Sequence, residues 1–354
     1  MKKPYLLSIE YIRGISMLGV VGIHTGSQYL LLNSTPNLHL VALFEVVTRF
    51  SVPIFFFISA FGLFYKTNLS EPFFYGKFLK RRFKAVLIPY LLWSTLYLVH
   101  DNWFYGYQLL PDLDYGAEIY FFGLAKYHLY FLVILIWFYL LMPLWIEIIR
   151  RITPAKMILL LAAQILFDYW SSYCAGTSEN LFFKWRLNWL VLHYAFIFIL
   201  GGVLGIYSEK FFKWCSERKK IISAMFLITL TSFLGWFYYL IDVKGYSALS
   251  AVNTAHQLSP LGIFYTIGAS IFFFMLFEFG KLPARVKNFL SLLGKNSYFV
   301  YLAHPFAIFY LLIVFSKLNL VMTAPNALIF YILIVAVTLG AKIMFQRFFG
   351  ANRR

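Results

Sequence analysis

Ten apolar runs, each close to the length that crosses a hydrocarbon layer, follow one another through the 354 residues. They are 8–31, 39–65, 85–105, 127–149, 157–173, 187–207, 221–241, 259–279, 298–316 and 326–345. Such a chain has few ways to satisfy its backbone. In lipid, only helices and closed barrels pair every polar group internally, and runs of this length are helical. The sequence therefore predicts an all-α polytopic membrane protein of about ten transmembrane helices. With 61% hydrophobic and 13% charged residues, an ordinary soluble fold is excluded. The first run is too long and too interrupted by charge to be a cleaved signal peptide. No repeat or low-complexity segment stands out, and residues 1–354 are expected to form a single transmembrane domain with no additional soluble domain.

Orientation follows from the connections. With the N-terminus inside, the inner segments hold 24 Lys and Arg and the outer segments five, with Arg13 and Arg49 inside spans. By the positive-inside rule both termini are expected in the cytoplasm. The net charge of +17 is thus mostly topology, and its distribution argues against nucleic acid as a partner. Cys174 and Cys215 are expected in loops on opposite faces of the membrane, without a disulfide.

The first span carries Arg13 and His24, eleven residues apart. At about 100° and 1.5 Å per residue this is three turns plus ~20°, with ~16 Å of rise. Both side chains lie on one helix face, and ionisable groups within a span are costly unless they meet a polar interior. A wet cavity along this face is one reading; a snorkelling Arg13 with a hydrogen-bonded His24 is the other. In the second span Glu45 and Arg49 stand at i,i+4, a spacing that lets a helix pair its own charges. Pro53 is expected to kink that span and expose backbone groups. Lys77, Lys80, Arg81, Arg82 and Lys84 cluster before the third span. Such a cluster reads anionic membrane lipids, or the phosphates of a nucleotide cofactor. The loop 106–126 is the most acidic outer segment, with Asp112, Asp114 and Glu118. His128 is expected near the outer membrane surface at the start of the fourth span. His256 and His304 are further candidates without an assigned role. No Gly-rich phosphate loop, CxxC, HExxH or GxSxG occurs, so no metal is expected and a pump driven by nucleotide hydrolysis has no support.

In this order the motifs resemble acyltransferase family 3, integral membrane enzymes that acylate cell-surface and exported carbohydrates. Arg13 and His24 in "YIRGISMLGVVGIHTG" match the family's first span, and "SVPIFFFISAFGLF" matches its second. "KRRFKAVLIPY" matches a basic run before an "iPY" sequence, His128, Tyr139 and Pro143 match the fourth span, and "NSYFVYLAHPF" matches a C-terminal motif. Ser59-Ala60 replaces the usual serine-glycine pair, and Arg81 is followed three positions on by Lys84 rather than arginine. The resemblance implies transfer of an acyl group, acetyl in the expected case, from acetyl-CoA (acyl-CoA) at the cytoplasmic side to a hydroxyl of a cell-surface or lipid-linked carbohydrate. It implies the plasma membrane of a bacterium and polysaccharide biosynthesis partners. His24 and Arg13 become the candidate catalytic residues, Lys80, Arg81, Arg82 and Lys84 the donor-binding set, and Glu45, Arg49 and His128 the acceptor side. The esterase-like domain fused to some relatives is not expected. The competing reading is a polysaccharide exporter or flippase without covalent chemistry.

Overall fold

The computed structural model describes residues 3–106, 113–174 and 189–350. Asp112, Lys184 and Arg186 lie outside them. The described chain is all helical, without a strand. In order it forms α1 Leu7–Leu31, α2 Leu38–Val41, α3 Ser51–Tyr65, α4 Tyr75–Arg82, α5 Ile88–Tyr105 and α6 Leu113–Phe122. Next come α7 Tyr130–Leu140, α8 Met142–Arg150, α9 Pro154–Tyr169, α10 Ala195–Ile206, α11 Ser208–Glu217 and α12 Lys219–Asp242. The last four are α13 Ala248–Thr254, α14 Pro260–Phe279, α15 Ala284–Lys317 and α16 Ala324–Gly350.

Among the described residues, seven helices or helix pairs are long and apolar enough to cross a membrane, or nine if each of two bent pairs counts as one span. The expected first span, α1, falls short of that apolarity because Glu10, Arg13, His24 and Gln28 interrupt it, although its 25 residues are long enough. The fourth expected span is a bent pair, turning by 63° between α7 and α8, and the sixth, α10, ends in a 92° turn into α11, which lies in the expected connector. Pro143 opens α8, where its missing N–H costs nothing. Cys215 is buried within α11 rather than in a loop.

Two spans extend beyond their sequence boundaries. The third begins at Tyr75, absorbing the basic run into α4, and passes through a π-helical turn at Phe83–Leu87. Pro89, two residues into α5, removes the donor for the Ala85 carbonyl, and the helix widens there. The ninth begins at Ala284, so α15 runs for 34 residues, ~51 Å, and takes in the connector that carries Lys295. The second span breaks as expected. Its helix is π-helical over Ala42–Val47, turns at 48–50, and restarts at Ser51, so the interruption falls where Pro53 cannot donate to the Arg49 carbonyl. Tyr265 donates to the Val47 carbonyl at 2.7 Å, satisfying one of the freed groups.

The closest helix pairings are α3 with α10 and α1 with α15. Glycine makes both possible. A Cβ on Gly14 would collide with the Leu290 carbonyl, and one on Gly294 with the Glu10 carbonyl, so α1 and α15 touch backbone to backbone. Gly201 and Gly205 stand in the same relation to Phe57 and Phe61 of α3. Gln164 and Asp168 of α9, the polar pair of the weakly marked fifth span, meet His193 beside the start of α10. Asp168 Oδ1 lies 2.6 Å from His193 Nδ1, and Gln164 accepts from the Phe196 N–H at 2.7 Å. The cluster satisfies a backbone donor that the helix start leaves unpaired.

Candidate active site

Two adjoining cavities run along the face of α1 that carries Arg13 and His24, and a third borders the second of them. At the Arg13 end is a chamber of ≈ 320 Å³ whose cations are Arg13, Arg82 and Lys295. Arg13 is accessible within it, and among the described residues it forms no ion pair. The Arg82 guanidinium lies 5.4 Å from the ring centres of both Phe78 and Tyr139, which fix its direction. Lys295 sits 3.7 Å from Glu10, the one carboxylate at its ion-pairing distance among the described residues. A pocket with three cations and Tyr139 and Ser59 in its walls suits a phosphate-bearing ligand.

Of the four residues expected to bind the donor, only Arg82 lines this chamber. Lys80, Arg81 and Lys84 are exposed and do not border it. Helical geometry is the reason. Successive residues on α4 diverge by about 100°, so a run of adjacent cations cannot converge on one ligand. Lys295 was not assigned a role from the sequence. Its signal was its place one residue before the "NSYFVYLAHPF" motif, masked by the general excess of inner Lys and Arg.

Beyond Phe131 and Tyr301, which border both, lies a central cavity of ≈ 110 Å³ lined by His24, His128, Arg49, Tyr130 and Gln257. Here the fold gathers three histidines. The His24 ring stacks on His304 with centroids 5.1 Å apart and meets Tyr127 at 4.6 Å. His128 packs edge-on against His304, also at 5.1 Å. His128 is therefore buried among the helices of the bundle. It is held there by Tyr301, whose hydroxyl donates to the His128 carbonyl. The edge of the Tyr97 ring lies against it as well. The turn that delivers it begins at Gly123, whose φ of 74° favours glycine. His24 makes no hydrogen bond among the described residues, and neither ring nitrogen of His128 has a partner there. Among the described residues no group of three His, Cys, Asp or Glu is arranged to hold a metal ion.

Glu45 and Arg49 pair as their spacing implied, with Nη2 to Oε2 at 2.7 Å. Ser27 of α1 donates to the other Glu45 oxygen at 2.7 Å, and Arg49 reaches Gln257 at 3.3 Å. The pair thus ties α1, the second span and the segment before α14 together at the wall of the cavity. Arg49, Tyr130 and Gln257 are shared with a third space of ≈ 630 Å³, a vestibule lined by hydroxyl and amide side chains including Ser171, Ser250 and Asn253, and by His256. A cationic chamber, a histidine cluster and a hydroxyl-rich vestibule follow in sequence. The chamber at Arg13 is walled by residues of the first four expected spans and of α15.

The family profile described as an acyltransferase domain (acyltransferase 3) matches residues 6–345. The chain belongs to acyltransferase family 3. Its similar relatives include a probable poly-β-1,6-N-acetyl-D-glucosamine export protein of Staphylococcus epidermidis, 23% identical over 98% of this chain and 93% of that protein. A protein of the same description from Staphylococcus aureus (strain MSSA476) is 24% identical over 86% of this chain and 82% of its own length. No solved structure matches. As a family 3 acyltransferase the chain carries both motif residues of the first span, Arg13 and His24, on separate but adjoining cavities.

Proposed function

We propose that this protein transfers an acyl group, acetyl in the simplest case, from acyl-CoA to a hydroxyl of a cell-surface or lipid-linked glycan. The observation that carries this reading is the junction of the cationic chamber with the histidine cavity at Phe131 and Tyr301. The chamber, open toward the cytoplasm with both termini on that side, takes the CoA phosphates on Arg82, Lys295 and Arg13. The thioester end then reaches the histidine cavity, where the glycan enters from the vestibule past Arg49 and Gln257. His24 withdraws the hydroxyl proton as the oxygen attacks the acyl carbonyl. The C–S bond breaks, the acyl group stays on the glycan oxygen, and the proton goes to the departing CoA sulfur. Residues 1–354 act here as one membrane domain.

Donor binding tests this. Replacing Arg82 and Lys295 together by Gln should weaken binding of acetyl-CoA to the purified protein by about 10-fold or more, the scale of losing charge-assisted hydrogen bonds. Replacing Lys80, Arg81 and Lys84 by Gln should change it by no more than a few-fold, and added salt should screen that residual effect. Equal losses from the two sets, or none from either, contradict the assignment of the chamber. The relatives' description as export proteins favours a second reading, in which the same adjoining cavities pass a glycan across the membrane without covalent chemistry.

A further inference from the structure

Pro305 stands inside α15 directly after His304. Proline has no N–H, so the carbonyl four residues back, that of Tyr301, loses its helical donor. His304 takes its place, with Nδ1 2.7 Å from the Tyr301 carbonyl oxygen. A carbonyl oxygen only accepts, so Nδ1 carries the proton, and a neutral ring then keeps its lone pair on Nε2. Nε2 is buried without a partner among the described residues. The ring is the one that stacks on His24 and touches His128. The helix around it is anchored from α5, where Tyr97 donates to the Leu302 carbonyl at 2.7 Å.

We propose that Pro305 is a positioning residue that sets the tautomer of His304. Held this way, His304 stays a neutral ring with a bare Nε2, stacked on His24 behind the wall of the central cavity, and keeps positive charge away from that base. That role rests on the reading of His24 as the base; the tautomer itself does not. A helix without this proline would pair the Tyr301 carbonyl with its own backbone and weaken the hold on the Nδ1 proton, leaving the Val300 carbonyl as its other backbone acceptor.

The test uses the full chain in liposomes with ring-¹⁵N histidine, and a His304→Gln spectrum identifies the His304 signals. In the natural chain His304 should show a protonated Nδ1 and a bare Nε2. In Pro305→Ala, which restores a backbone donor to Tyr301, the two tautomers should mix or reverse. Acetyl-CoA turnover should fall by about 10-fold, the scale of one lost hydrogen bond, while heat stability is retained or rises because alanine suits a helix interior better than proline. His304→Asn keeps a donor near the place of Nδ1 but no ring stacked on His24, and it should be impaired to a similar degree. Unchanged ring signals in Pro305→Ala, or full turnover in His304→Asn, would overturn the proposal. The ring signals need no turnover, so they judge the tautomer even where acyl transfer itself fails.

Discussion

His24→Ala is expected to leave the protein inserted and folded but to lower acyl transfer by roughly 10²–10⁴-fold, the usual scale for losing a general base. The ring lines the central cavity and makes no hydrogen bond that holds the fold together among the described residues. Its removal therefore costs little beyond its contacts with Tyr127 and His304. Binding of acetyl-CoA, which belongs to the neighbouring chamber, should be nearly unchanged. That separation is the diagnostic part: transfer falls, donor affinity does not. A variant that transfers at the natural rate removes His24 from the chemistry, and the role of base passes to His128 on the same cavity. A variant that also loses acetyl-CoA binding shows that the two cavities are not separable in this way.

Glu45→Ala is expected to give the largest loss of stability. Glu45 is fully buried, and its carboxylate is the counter-charge of Arg49 at 2.7 Å. Breaking a buried pair by removing one partner costs about 3–5 kcal/mol, because the other charge stays behind uncompensated. Ser27 loses its acceptor in the same step. The double variant Glu45→Ala with Arg49→Met should recover part of this loss, since replacing both charges removes the burial problem. Heat denaturation in detergent measures both. Should the double variant be no more stable than Glu45→Ala alone, the pair is not what the single substitution disturbs.

Much of the fold was legible because the membrane imposes a simple rule on the sequence. The ten apolar segments recur as helices, and the spacings of Arg13 with His24 and Glu45 with Arg49 gave their relative positions on single helices, where geometry is local. Contacts between helices were not legible in the same way. His304 meets His24 only because Gly14 and Gly294 let α1 and α15 touch, and no periodicity in either segment encodes that meeting. Lys295 and the Lys80–Lys84 run look alike in sequence, since both satisfy the inner excess of basic charge. Their difference lies in which helical face meets the chamber. The partners of His128 were hidden for a related reason. Its span opens with a turn at Gly123 and packs under Tyr97 and Tyr301, so the first residue of the segment is enclosed by side chains of α5 and α15.

Acyl transfer and glycan export make opposite demands on one measurement, the mass spectrum of surface and lipid-linked glycans from cells with the natural chain, with His24→Ala, and without the protein. Covalent transfer predicts that the polymer persists in all three. Its acyl-bearing mass should be present with the natural chain and absent or strongly reduced in the other two. A glycan that disappears from the surface without the protein, while its units carry no acyl mass in any of the cells, would contradict acyl transfer and assign the adjoining cavities to export.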